Sequence, residues 1–166
     1  FIGFFASYIY NIDLLYVAKN YPEHATVYLG YRKFAEAAGI IFHWWGTRLP
    51  IAFHKQQHFK HILFIPFILS TFACLVLAIV PGILAAEQDL ITNFAILSLL
   101  PLITFFDVFM TQYTIYKGTV NTEVYRILIR GLIAISCFTI IELSINSVAY
   151  VYIILQFCGY LCYLNW

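Results

Sequence analysis

Long uncharged stretches dominate the second half of the chain. The residues from Ile62 to Ala86 include no Asp, Glu, Lys or Arg, and a second apolar stretch begins at Leu90 after two acidic residues. Each stretch is long enough to cross a bilayer, because about 20 helical residues span a hydrocarbon core of about 30 Å. Two segments nearer the C-terminus show the same pattern. The pattern predicts an all-α fold, a polytopic transmembrane helical bundle.

We predict a single integral membrane domain over residues 1–166, with four secure spans and one or two membrane-associated helices before them. The four spans cover about residues 62–86, 90–113, 125–144 and 148–164. An earlier apolar segment, about residues 1–18, is expected to form a further span. A segment over about residues 35–53 either enters the membrane obliquely or lies along its surface, since its apolar part is short.

The chain before the first strong span has its own helix signals. Pro22 and Glu23 suit a helix start, with proline at the first helical position and an acidic residue in the first turn. A helix is expected from about Pro22 to Trp45. It should end before Pro50, because proline disfavours the helical conformation of the residue that precedes it.

Charged residues alternate between the two ends of the predicted spans. Basic residues occur in the loops 48–60 and 117–130, whereas Glu87 and Asp89 lie in the turn between the first two strong spans. Short loops rich in Lys and Arg stay on the cytoplasmic side of a membrane. We therefore expect both basic loops on the cytoplasmic or matrix side of an integral membrane protein.

The composition supports this assignment and excludes one class of partner. Apolar residues make up 63% of the chain and charged residues 10%, whereas soluble domains carry about 25% charged residues. The formal net charge is +1, so no basic surface is present that would neutralise the phosphates of a nucleic acid. The expected partners are membrane lipids and other membrane subunits.

Asp107 is the main candidate for intramembrane chemistry. It lies within the second strong span, where a carboxylate costs about 2.5–3.5 kcal/mol on insertion scales and needs a partner or a water-filled cavity. Thr111 is one turn further along the same helix face. Arg130 is about one turn inside the next span and could pair with Asp107 at similar depth. The group is interpreted either as an ion pair that fixes helix register or as an ion or proton site.

Three histidines, His54, His58 and His61, are spaced to share one face of a helix. The first two have a spacing that can bind a metal, and the group resembles a fragment of the histidine boxes of membrane desaturases and hydroxylases. Those enzymes use more histidines for their two irons than the five in this chain. We therefore expect no metal here, and interpret the group as a basic face that meets lipid headgroups or an adjoining protein.

His43 lies among apolar and aromatic neighbours, between Phe42 and Trp44. A buried imidazole beside a small residue can bind haem iron or a quinone carbonyl. The alternative is an ordinary hydrogen-bonded histidine in the core or at the interface. Cofactors are otherwise not indicated, and haem or quinone is the one cofactor class that the sequence leaves open.

The sequence contains no nucleotide-binding loop, nucleophile motif or catalytic carboxylate pair, so an enzyme acting alone is the least supported class. The expected function is that of a non-catalytic accessory subunit of a larger membrane complex, which contributes helix packing and lipid contacts. One alternative is a small transporter or channel subunit with Asp107 as its intramembrane ion or proton site. A second alternative is a redox subunit with His-bound haem or a quinone site.

Overall fold

The computed structural model describes residues 2–54, 59–83 and 90–161, and the side chains of residues 6–53, 63–79, 90–119 and 121–158. Within these ranges the chain is all-helical. The helices, in chain order, are α1 (Ile2–Tyr10), α2 (Ile12–Asn20), α3 (Pro22–Gly46), α4 (Leu49–His54), α5 (Phe59–Ile83), α6 (Ile91–Leu97), α7 (Leu100–Tyr116), α8 (Val120–Ile140) and α9 (Ile145–Leu161).

Three of the expected segments are divided by turns. No single helix covers residues 35–53, because α3 ends at Gly46 and the Arg48 N–H closes a turn on the Trp45 carbonyl at 2.9 Å. The 90–113 segment is interrupted between α6 and α7, where Pro101 has no N–H to donate to the carbonyl one turn earlier. The 1–18 segment is divided at Asn11, whose side-chain amide donates to the Ser7 carbonyl at 2.8 Å.

Length and hydropathy identify one candidate membrane helix in the described part of the chain. It is the combined segment Ile91–Tyr116, which has 26 residues and a mean hydropathy of 2.0. The segments Leu63–Ile79 and Ile145–Cys158 are apolar but shorter. One helix could therefore cross a membrane by this criterion, and the four-span arrangement stays a prediction.

The long helices alternate in direction along the chain. Tyr28 and Arg32 of α3 contact Asp13 of α2, and Tyr31 contacts Leu77 near the end of α5, so α3 runs antiparallel to both. The α8 and α9 helices are also antiparallel neighbours joined by a short loop. The loop is held to α2 and to the α2–α3 junction, because the hydroxyl groups of Tyr16 and Tyr21 donate to the Leu143 carbonyl at 3.2 and 2.7 Å.

Two glycines let α3 approach α7 closely. The two helices run parallel, with Gly39 against Thr104 and Gly46 against Val108. A Cβ atom at Gly39 would lie 3.0 Å from the Thr104 hydroxyl oxygen, and one at Gly46 would lie 2.2 Å from a Val108 methyl group. The interface therefore requires a residue without a side chain at Gly46.

Many large apolar side chains of this chain lie on its outer surface rather than in its core. The core between α3, α5 and α6 holds Tyr31, whose ring stacks on Phe94 at 4.3 Å while its hydroxyl donates to the Leu77 carbonyl. Several of the largest apolar side chains instead face outward, more than 60% exposed: Ile41, Trp44, Phe72, Leu132 and Ile140. Single exposed apolar residues are ordinary, but outward apolar faces on α3, α5 and α8 together indicate surfaces that something else covers.

We expect Gly46→Ala to lower the free energy of unfolding by about 1–3 kcal/mol, the usual range for overpacking a core. Gly30→Ala is the matched control on the same helix, because a Cβ atom there has nothing within 4 Å. That control should be neutral or slightly stabilising, since alanine favours a helix more than glycine does. Thermal unfolding in detergent compares the two variants, and equal stability would contradict the close α3–α7 contact.

Candidate functional site

Arg32, near the middle of α3, is a fully buried charged residue. Its side chain has no solvent exposure, and neither does that of Asp13 on α2. The Arg32 Nε donates to Asp13 Oδ2 at 2.9 Å, and Nη1 forms an ion pair with Glu36 one turn along α3. Because an isolated buried charge costs many kcal/mol, Arg32 depends on these two carboxylates.

The third nitrogen of Arg32 links two more helices. Nη2 donates to the Tyr10 carbonyl at 2.7 Å and to the Tyr152 hydroxyl at 2.6 Å. Tyr10 is the last residue of α1, where carbonyl groups lack partners within the helix. The break at Asn11 therefore supplies the acceptor, and the guanidinium also lies over the rings of Tyr10 and Tyr152 at 4.9 and 4.4 Å.

Tyr28 completes this group, which we call the Arg32 network (Tyr10, Asp13, Tyr28, Arg32, Glu36 and Tyr152). It lies one turn before Arg32 on the same face of α3 and donates to Asp13 Oδ2 at 3.0 Å. The Arg32 network thus joins α1, α2, α3 and α9. The Arg32 network was not predicted from the sequence, although the spacing of Tyr28, Arg32 and Glu36 at every fourth residue indicates that one face of α3 is polar.

A second group of charges lies between α7 and α8. Arg126 is 4% exposed and forms ion pairs with Asp107 and with Glu123. Arg130 lies one turn further along α8, with a guanidinium nitrogen 3.5 Å from Asp107 Oδ1. The Thr111 hydroxyl donates to Glu123 at 3.3 Å. Two carboxylates and two guanidinium groups balance one another in this Asp107 cluster.

Of the two residues expected beside Asp107, the structure brings Arg130 into contact with it and Thr111 only near it. Arg130 and Asp107 lie close together, whereas Arg126, which was expected only as part of the basic loop 117–130, makes the shorter contact. Thr111 is one turn from Asp107 but contacts Glu123 rather than the aspartate. Arg126 and Arg130 share a helix face because they are four residues apart, and that spacing could have identified both.

A cleft lies next to both charged groups. It has two parts, a smaller cavity of about 140 Å³ beside Arg126 and Arg130, and a larger one of about 430 Å³ beside Tyr152 and Gln156. Ala6, Tyr10 and Asp107 line both parts. The cleft therefore extends along α1 from the Asp107 cluster to the Arg32 network, with the Asp107 carboxylate between its two parts.

The remaining sequence candidates have different positions. His43 lines the larger part of the cleft, on α3, so the structure brings it to the same cavity as Asp107. His58 lies outside the described residues, as do the side chains of His54 and His61. Among the residues that the structure describes, no three His, Cys, Asp or Glu side chains converge as a metal site would need.

The cleft is lined by polar and apolar groups together. Guanidinium, carboxylate, imidazole and amide groups face it alongside the apolar side chains of Ala6, Leu100 and Ile103. A concave, mostly apolar site with a few convergent polar groups is typical of small-molecule recognition. Comparison with protein families, curated proteins and solved structures gives no match.

We expect Arg126→Gln to destabilise the bundle more than Arg130→Gln, because Arg126 bridges two carboxylates and Arg130 makes one longer contact. Removing one partner of a fully buried pair costs about 3–5 kcal/mol, and the partial exposure of Asp107 lowers that figure here. Lys33→Gln is the control, since its exposed pair with Glu36 contributes at most about 1 kcal/mol. Equal unfolding midpoints for Arg126→Gln and Lys33→Gln would show that the Asp107 cluster is not structural.

Proposed function

We propose that this chain is a polytopic membrane subunit that contributes helix packing and lipid contacts to a larger membrane complex. The observation that carries the proposal is the contrast between its outer and inner residues. Large apolar side chains on α3, α5 and α8 point outward, while Arg32, Arg126 and Arg130 are buried. In a bilayer charged side chains face the interior of the bundle and pair there, which is the distribution seen here.

The alternation of helix direction supports several membrane crossings. The path α1–α2, α3, α5, α6–α7, α8 and α9 reverses at each step, so the shorter apolar helices become spans once their flanking residues are included. Arg48 and Lys117 then lie at one end of the bundle and Glu142 at the other. By the positive-inside rule the end with Arg48 and Lys117 faces the cytoplasm or matrix.

The pairing of the buried charges with one another supports the accessory role. Arg32 and Arg126 are each bound by two carboxylates, so their first effect is to hold helices in register. The outer apolar faces then remain for lipid and for neighbouring subunits. An obligate membrane interface needs no charge of its own, because close packing of apolar and small residues is enough to associate helices.

A second candidate function is that of a small transporter or channel subunit. The observation that favours it is the position of Asp107, which lines both parts of the cleft and is about one-third exposed. A carboxylate between two cavities within a bundle is suited to contact an ion or polar solute. The redox alternative is supported by His43 alone, which lines the same cleft.

Purification in a mild detergent tests the accessory role. We expect other membrane subunits to co-purify in fixed stoichiometry. Ile41→Gln, Phe72→Gln and Leu132→Gln each place a polar group on a different outer face, and at least one should reduce partner recovery without lowering thermal stability. Lys33→Gln is the control, because that exposed side chain is already polar. A chain that purifies alone from its native membrane, whichever variant is used, would contradict the proposal.

Membrane insertion is checked in the same preparations by cysteine labelling. After the four native cysteines are changed to alanine, Arg48→Cys and Glu142→Cys should react with an impermeant maleimide from opposite sides of the membrane. Labelling of both from one side would contradict the proposed topology without bearing on the partners.

A further inference from the structure

Two nearly buried polar side chains on the wall of the cleft have unused hydrogen-bonding capacity. Gln156, on α9, is 5% exposed, lines the larger part of the cleft and makes no hydrogen bond to any side chain or backbone group in the described part of the protein. Buried amides normally have partners. An amide that is enclosed, faces a cavity and has none is suited to bind a ligand.

Arg130 is the second such side chain, on the wall of the smaller part. It is 8% exposed, and its contact within the described residues is the 3.5 Å approach to Asp107 Oδ1. A guanidinium group carries five N–H donors, so most of its capacity is left for the cavity. Arg126, by contrast, is bound by both Asp107 and Glu123.

The charge balance of the site selects the type of ligand. Among the charges that the structure describes, the Asp107 cluster is neutral, and it presents both kinds of group to the cleft: the guanidinium groups of Arg126 and Arg130 and the carboxylate of Asp107. A ligand with a single net charge would unbalance the cluster in surroundings where an uncompensated charge is costly. A zwitterion matches both groups and keeps the balance.

The two volumes can hold a ligand of this kind. The smaller part, about 140 Å³, has room for its charged groups, since a water molecule occupies about 30 Å³ in the liquid. The larger part, about 430 Å³, includes Leu100 and Ile103 in its wall and has room for an apolar group. Asp107 lies on the wall that the two parts share.

We propose that the cleft binds a small zwitterion in which an ammonium group and an oxyanion lie a few bonds apart beside an apolar substituent. The oxyanion binds Arg130, the ammonium group binds Asp107, and the substituent lies against Leu100 and Ile103, within reach of the Gln156 amide. A free apolar amino acid has this chemistry, and so does the headgroup of an ethanolamine phospholipid. The inference gives a substrate class to the transport candidate and does not depend on the accessory role.

Calorimetry on the detergent-purified protein tests the proposal with three matched probes. L-Leucine carries both charges, 4-methylpentanoate only the carboxylate, and isopentylamine only the ammonium group. We expect L-leucine to bind at least about tenfold more tightly than either single-charge probe, because each charge-assisted hydrogen bond contributes about that factor or more. Equal or tighter binding of a single-charge probe would overturn the proposal.

A phosphatidylethanolamine arm, in mixed micelles, distinguishes the source of the zwitterion. Binding of this lipid without binding of L-leucine assigns the site to a headgroup of the same chemistry. Phosphatidylglycerol is the matched lipid without an ammonium group and should bind at least about tenfold more weakly. Failure of both L-leucine and phosphatidylethanolamine to bind would overturn the proposal, whatever subunits co-purify.

A steric variant keeps the test independent of the ion pairs. Ala6 lines both parts of the cleft, so Ala6→Leu should fill the space and lower the affinity at least about tenfold without a lower melting temperature. Ala18→Leu is the control, because Ala18 is exposed on α2. Arg130→Gln should abolish the preference for the zwitterion over the amine. Unchanged zwitterion affinity in folded Ala6→Leu protein would place any binding elsewhere.

Discussion

The fully buried guanidinium group of Arg32 determines how the surrounding helices pack. Arg32 must have partners wherever it is buried, and it finds them on four helices: α1, α2, α9 and its own helix. Meeting that need fixes the rotation of α3 about its axis, because Tyr28, Arg32 and Glu36 have to face α2 and α9. The opposite face of α3 then carries Ile41 and Trp44 outward.

The second charged group extends the same arrangement toward the other end of the bundle. The Asp107 cluster ties α7 to α8, and α3 lies along α7 through the close contacts at Gly39 and Gly46. The cleft is lined by residues of both charged groups. Paired buried charges add little net stability, but their loss is costly and they specify one packing over others. Specificity of packing is what a site with fixed polar groups requires.

The sequence predicts the all-helical class of this fold better than the positions at which its helices are interrupted. Helices could be predicted from long apolar runs and from Pro22, and α3 does begin there. The interruptions at Asn11 and near Ser98 could not be predicted, because polar side chains and prolines are also common in continuous membrane helices. At both turns a polar side chain bonds to a backbone carbonyl of the preceding turn, Asn11 to Ser7 and Ser98 to Ala95, and Pro101 removes a backbone donor beside the second.

The candidate site includes residues that can be identified within one segment of sequence and others that only the packing of several helices identifies. Asp107 was identifiable because a carboxylate in an apolar run is costly wherever it lies. The partnership of Asp13 with Arg32 joins residues 19 positions apart on different helices, and nothing in either segment names the other. Gln156 could not be singled out from the sequence, since its place on the cavity wall depends on several helices packed together.

A double-mutant cycle between Asp13 and Arg32 measures whether these two side chains stabilise each other. We expect Asp13→Asn and Arg32→Gln each to lower the free energy of unfolding strongly, and the double variant to lose clearly less than the two losses added together. Neighbours within one ion network couple by about 0.5–3 kcal/mol, whereas independent sites add within about 0.5 kcal/mol. Strict additivity, measured by unfolding in detergent, would mean that the two side chains do not meet and that the Arg32 network does not organise the bundle.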